Sequence, residues 1–259
     1  MAAIRVGIGG WVFPPWRGTF YPEGLPQARE LAYASRQLTS IEINGTFYGA
    51  QKPASFQKWY TETPADFVFS LKAPRFATHR RDLSQAAPSV ERFLASGILE
   101  LREKLGPILW QFPATARFDE AGMRAFLQML PPHIDGRRLR HVVEVRHESF
   151  TASGFVELLR QHNVAVGIVD GDGYLPLHDL TADFVYARLR RSAEHEPTGY
   201  SSHALDAWAE YFRACAAFQG GPRDCFAYVI SGAKLRAPAA AIALLKRLGD
   251  AQGGERDGT

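Results

Sequence analysis

Eight short runs rich in β-branched and aromatic residues recur along the chain, and most are followed by a stretch with helical spacing. They are IRVGIGG (4–10), SIEIN (40–44), FVFSLK (67–72), PILWQF (107–112), HVVEVR (141–146), VAVGIV (164–169), FVYARLR (184–190) and CFAYVI (225–230). Amphipathic periodicity marks residues 88–105, 119–130, 153–162, 203–217 and 240–248. Strands that alternate with helices run parallel, because each helix returns the chain to the same end of the sheet. Eight such units in 259 residues is the size and rhythm of an α/β fold of the (β/α)8 TIM-like barrel type. A doubly wound open sheet is the main alternative, and no GxGxxG or P-loop pattern supports it. The segment DGDGYLPLHDLTAD (170–183) is turn-rich, so the sixth helix is expected to be missing or irregular. No linker or internal repeat interrupts the pattern, which predicts one domain over 1–250 and a flexible tail over 251–259.

The fifth run carries Glu144 and Arg146 among valines, although unpaired charges are costly to bury. Strand parity offers a resolution. Phe67, Phe69 and Leu71 oppose Ser70 and Lys72; Ile41 and Ile43 oppose Glu42 and Asn44. Ile108, Trp110 and Phe112 oppose Gln111; Val143 and Val145 oppose Glu144 and Arg146; Val185, Ala187 and Leu189 oppose Tyr186, Arg188 and Arg190. The apolar sets can face the helices while the polar sets point into the barrel. The polar residues cluster toward the strands' C-terminal ends, where barrel enzymes place their chemistry, and Asp170 is expected to join them. A purely structural ion network is the alternative reading, but polarity at one end only is what a site needs.

Composition excludes some classes. With 46% hydrophobic residues the chain can bury a large core, yet no apolar stretch is long enough to span a membrane. No signal-peptide pattern opens it, and Cys215 and Cys225 match neither a metal spacing nor a disulfide framework, so a cytoplasmic location is expected. A net charge of +3 does not by itself imply nucleic-acid binding.

Five blocks, GIGGWVFPPWRGTFYP (7–22), SIEINGTFYG (40–49), FVFSLKAPRFATHRRDL (67–83), KLGPILWQFP (104–113) and VVEVRHESF (142–150), together resemble the YecE-like family, known as domain of unknown function 72. The resemblance covers residues 4–250 and implies a TIM-like barrel whose biochemistry is unsettled. It carries over to Trp11, Trp16, Glu42, Asn44, Thr46, Phe47, Tyr48, Lys72, Thr78, His79, Gln111, Glu144, Arg146 and His147. Family members often have an FNND-like segment after the last strand and an HG-type dipeptide after the seventh. Here those places read VISGAK (229–234) and RLRR (188–191), which implies a variant subgroup if the missing Asn and Asp serve function.

Two carboxylates and a lysine on one rim can transfer protons. Glu42 or Glu144 would be the base and Lys72 the acid or electrophile, with Arg146 and Asp170 completing the catalytic set. A divalent metal, drawing on Glu42, Glu144, Asp170, His79 and His147, is not favoured without an HxH or HExxH pattern, and no metal ligand or cofactor is assigned. Aromatics in the first two loops (Trp11, Phe13, Trp16, Phe20, Tyr21, Phe47, Tyr48) meet basic residues in the third and seventh (Arg75, His79, Arg80, Arg81, Arg188, Arg190, Arg191). Such a mouth suits a ligand with a flat face and a phosphate. Ligand-binding candidates are Trp11, Trp16, Asn44, Tyr48, Thr78, His79, Gln111, His147, Arg188, Ser231 and Lys234. An anion is expected near Arg188, Arg190 and Lys234, or near Lys72. The bland alternatives are that WVFPPW is a hydrophobic plug and that His79 and His147 cap loops. The expected function is binding of a phosphate-bearing or sugar-like ligand (a nucleotide, nucleic acid or phosphosugar) at the C-terminal mouth, with phosphodiester hydrolase or isomerase chemistry; the expected partner is a small-molecule or nucleotide-like ligand. The alternatives are a noncatalytic nucleic-acid-binding barrel and a scaffold with a structural polar interior.

Overall fold

The computed structural model describes residues 2–218 and 220–250, so the expected tail over 251–259 lies outside the described residues. Strands β1 (Ile4–Gly9), β2 (Ser40–Ile43), β3 (Val68–Lys72), β4 (Leu105–Gln111), β5 (His141–Glu144), β6 (Ala165–Asp170), β7 (Phe184–Leu189) and β8 (Asp224–Val229) form a closed parallel barrel. Closure runs between β1 and β8, from Ile4 opposite Cys225 to Ile8 opposite Val229.

Alternation along the strands creates two cores. Ile41, Phe69, Leu71, Trp110, Val143 and Val185 face outward and pack with helix residues such as Phe93, Phe126 and Phe155. Val68, Leu109, Val142, Ala165, Phe184 and Phe226 belong to a second, separate cluster inside the barrel. The interior is therefore a packed apolar floor on which a polar layer sits.

Helices Glu30–Gln37, Pro53–Glu62, Ala87–Leu94, Glu120–Gln128, Ser153–Gln161, Ser202–Ala216 and Ala237–Asp250 follow every strand except β6. The periodic stretch 88–105 is not one helix: Gly97, at φ 97°, interrupts it, and the chain resumes in 3-10 turns over Ile98–Lys104. Between β6 and β7 the chain is irregular, as expected. Leu175, Leu177 and Leu180 pack against the outer core where a helix would otherwise lie. Thr181 Oγ1 anchors the segment, donating to Val164 O at 2.7 Å and accepting from Val166 N at 2.8 Å.

Candidate functional site

Above the apolar floor, hydroxyls begin to pair. Ser40 Oγ lies 2.7 Å from Tyr228 Oη, and Ser70 Oγ 2.9 Å from Tyr186 Oη. Tyr186 donates to Glu42 Oε2 at 2.7 Å, which carries the network up to the first carboxylate.

Glu42 and Glu144 are fully buried, and Arg188 joins them. Its Nε and one terminal nitrogen donate to the two Glu42 oxygens at 2.9 and 3.0 Å, while the other terminal nitrogen donates to Glu144 Oε2 at 2.5 Å. Gln111 Nε2 donates to Glu144 Oε1 at 2.6 Å, and Arg146 stands 3.8 Å from the same oxygen. Burial alone would raise the Glu144 pKa, but Arg188, Gln111 and Arg146 outweigh it and hold the carboxyl below its usual range. Glu144 is thus met across the barrel by Arg188 rather than stranded in an apolar core, and Arg146 has Glu144 itself as its nearest carboxylate.

Lys72 is different. Two lysines are buried, at 7% exposure for Lys72 and 3% for Lys104. Lys104 Nζ donates to Tyr60 O, Thr63 O and Thr63 Oγ1 at 2.6, 2.8 and 3.1 Å. Lys72 Nζ has no hydrogen-bond partner among the described residues and rests 3.8 Å above the Phe47 ring centroid. Burial first, then Arg188, lowers its pKa to about 8 against the pull of Glu42 and Glu144. The group around it comprises two carboxylates (Glu42, Glu144) and three cations (Lys72, Arg188, Arg146). With Lys72 protonated it therefore carries one positive charge in excess.

Tyr174, in the irregular segment after β6, reaches this rim. The guanidinium carbons of Arg146 and Arg190 lie 4.7 and 5.0 Å from its ring centroid. Burial first, then Glu144, raises its pKa, which places the phenol beside the cluster. Tyr174 Oη and Arg146 Nε are both buried without a partner among the described residues. Buried polar atoms are seldom left unpaired, and these two lie at one rim.

A family model described as "Protein of unknown function DUF72" matches residues 5–257. The chain belongs to the DUF72 family. A DUF72 family protein from Thermotoga maritima, of known crystal structure, superposes with a TM-score of 0.74 at 23% identity, covering 97% of this chain and 99% of that one. Another from Enterococcus faecalis gives 0.69 at 15% identity, covering 95% of each chain. The curated Bacillus subtilis protein UPF0759 protein YunF is 29% identical over 115 residues, which is 42% of this chain and 40% of that protein. The DUF72 barrel is thus shared, and the site must be read from its own residues.

Two expected site residues need correction. Asp170 does not join the cluster. It shares strand parity with Val166 and Ile168, so it points to the helix side, accepting from Tyr200 Oη at 3.0 Å with Arg191 at 3.4 Å. There it lines a separate cleft of about 400 Å³ with Tyr200 and Trp208. Arg188 is not a free anion binder, because Glu42 and Glu144 occupy all three guanidinium nitrogens.

The remaining candidates divide. Trp16 is fully buried, donating to Lys234 O at 3.0 Å, and Trp11 packs edge-on to Trp59 and Phe69 on the outer layer, which fits a plug. Thr78 Oγ1 donates to Gln111 O at 2.6 Å, and His147 Nδ1 caps a 3-10 turn by accepting from Ser149 N at 3.1 Å. Asn44 Nδ2 makes a long contact of 3.4 Å to Glu42 O. His79 meets the Phe47 ring edge-on at 5.6 Å, its pKa lowered by partial burial and then by Lys72 and Arg75. Tyr48 is 70% exposed. Lys234 Nζ lies 4.3 Å over Phe13, tying the eighth loop to the first. Ser231 takes a left-handed φ of 56°, and a Cβ on the following Gly232 would lie 2.6 Å from Arg190 O and Ser192 O, so the SGAK turn packs directly on the seventh loop. Among the described residues no group of three or more His, Cys, Asp or Glu is arranged to hold a metal ion, and no helix is long and apolar enough to cross a membrane.

Tyr174 was not among the sequence candidates, because an irregular segment offers no periodicity from which to place a side chain. Tyr186 was placed on the inner face by parity, and its role as Glu42's donor emerges only with the barrel closed.

Proposed function

We propose that the protein binds a small phosphate-bearing or sugar-like molecule at the C-terminal mouth of the barrel, with an anionic group held by Lys72, Arg146 and Arg190. The observation that carries this reading is the contrast between the two buried lysines. Lys104 has three acceptors; Lys72 has none among the described residues and sits in a cluster with one uncompensated positive charge. An anion supplies the missing charge and acceptors, and the orphaned Arg146 Nε and Tyr174 Oη supply further donors.

With a pKa of about 8, Lys72 can hold or release a proton near neutrality, which suits proton transfer in an isomerase or protonation of a leaving group in a phosphoester hydrolase. Glu144, held ionised, orients Arg188 and is not a proton donor. The two free, buried cysteines fit a reducing, cytoplasmic setting. The test is to titrate inorganic phosphate and ribose 5-phosphate by calorimetry and to follow phosphosugars and phosphodiesters by NMR for turnover. Binding of neither anion ends this reading; binding without turnover of any compound ends the enzymatic part alone.

A further inference from the structure

On the shoulder of the barrel, between the loops after β2 and β3 and the helix Ala87–Leu94, lies a second cleft of about 530 Å³. Its size falls within the usual range for small-molecule sites. Tyr48 and Phe76 line it, and at 70% and 60% they are the most exposed large hydrophobic side chains among the described residues. Phe47 and Phe93 form part of its wall, with Arg80 and Arg92 beside them and no carboxylate in the lining. The Arg80 guanidinium is engaged by Phe76 O, Gln85 O and Ser89 Oγ. Arg92 is exposed and has no partner among the described residues, and the Arg75 guanidinium carbon lies 5.3 Å from the Phe76 ring centroid.

Folding alone gives no reason to leave two aromatic faces in water around one concavity. Aromatic faces attract flat rings, and arginine without a competing carboxylate attracts an anion. We infer that this cleft binds a nucleotide: the base stacks on Tyr48 and Phe76, and the phosphate lies toward Arg92. Phe47 stands between the cleft and Lys72, touching both. The cleft is nevertheless distinct from the mouth, and the inference does not depend on the proposed function there.

The test is calorimetric titration of AMP, adenosine and ribose 5-phosphate into the wild-type protein, Tyr48→Ala/Phe76→Ala and Arg92→Ala. The aromatic pair is exposed, so the variant should fold, and a thermal melt checks that it does. AMP is expected to bind the wild type more tightly than ribose 5-phosphate, and the aromatic double variant to lose about tenfold or more in AMP affinity, the scale of base stacking. Arg92→Ala should weaken AMP and leave adenosine unchanged. Displacement of AMP by a short single-stranded oligonucleotide would assign the nucleotide to a strand; failure to displace it would assign the free nucleotide. AMP affinity untouched by loss of both rings overturns the inference. So does a wild-type dimer that dissociates in the aromatic variant, since the cleft would then be a contact between two copies.

Discussion

Arg188 grips both carboxylate oxygens of Glu42, at 2.9 and 3.0 Å, across the interior of the barrel. The same guanidinium reaches Glu144, so one cation ties β2, β5 and β7 together. Burial alone would lower its pKa, but Glu144 and Glu42 raise it well above the ordinary arginine value, which keeps the charge fixed.

Glu144→Gln should therefore be a stability variant. It strands part of a buried guanidinium, and breaking one side of a buried ion pair costs about 3–5 kcal/mol. Chemical denaturation of the variant measures the loss. Because one negative charge leaves a cluster already in positive excess, phosphate binding to the folded variant should not weaken. Undiminished stability would contradict the account of Arg188.

Lys72→Met should do the reverse. The Lys72 pKa is lowered from 10.5 to about 8, so the fold disfavours the protonated amine. The sign follows directly: the unfolded chain binds the extra proton between those values, so wild-type stability should rise with pH across that window. Removing the amine is expected to stabilise the protein at neutral pH by on the order of 1–3 kcal/mol, the fuller value being reduced by access to solvent. Thermal melts of both proteins at neutral and alkaline pH check both statements.

Much of this arrangement was legible in the sequence. Period-two alternation placed Glu42, Lys72, Gln111, Glu144 and Arg188 on the inner face, because the opposite parity held Ile41, Leu71, Trp110, Val143 and Ala187. Asp170 was misplaced by weighting its position at a strand end over its parity with Val166 and Ile168. That Glu144 meets an opposite charge from another strand, with Arg188 among the candidates, was legible from parity; that the same guanidinium of Arg188 also takes both oxygens of Glu42 was not. The two carboxylates lie 146 and 44 residues from Arg188 in sequence, and only barrel closure decides that they, rather than a ligand, take the guanidinium. Tyr174 escaped notice because no repeat governs the chain between β6 and β7.

His141 should set an acid limit. It is buried, accepts from Trp110 Nε1 at 3.1 Å through Nδ1, and lies 2.9 Å from Pro131 O through Nε2. Burial lowers its pKa to about 4 from 6.5. The unfolded state thus takes up a proton first, so stability is full above the unfolded value and falls as pH drops toward 4, by roughly 3 kcal/mol for this group. Denaturant unfolding across that range should show the decline, and His141→Gln should flatten it. A slope of equal size in the variant would assign the loss to other groups.

Tyr174→Phe isolates the orphaned hydroxyl. The ring keeps its place against Arg146 and Arg190, while a buried polar atom without a partner is removed. Stability should hold or rise by up to about 1–2 kcal/mol. If the hydroxyl serves the bound anion, phosphate affinity should fall about tenfold. Unchanged affinity would limit Tyr174 to covering the mouth.

The charge excess at the mouth is tested most directly by the dissociation constant of inorganic phosphate, measured by calorimetry for the wild type, Lys72→Met, Arg146→Met and, as an exposed control on the helix Glu120–Gln128, Arg124→Met. Phosphate is expected to bind the wild type with an affinity that falls as pH rises through about 8, where Lys72 loses its proton. Affinity should drop about tenfold or more in the Lys72 and Arg146 variants, in keeping with loss of a charge-assisted contact, and stay unchanged in the control. No phosphate binding to the wild type, or the same affinity in all four proteins, would contradict it.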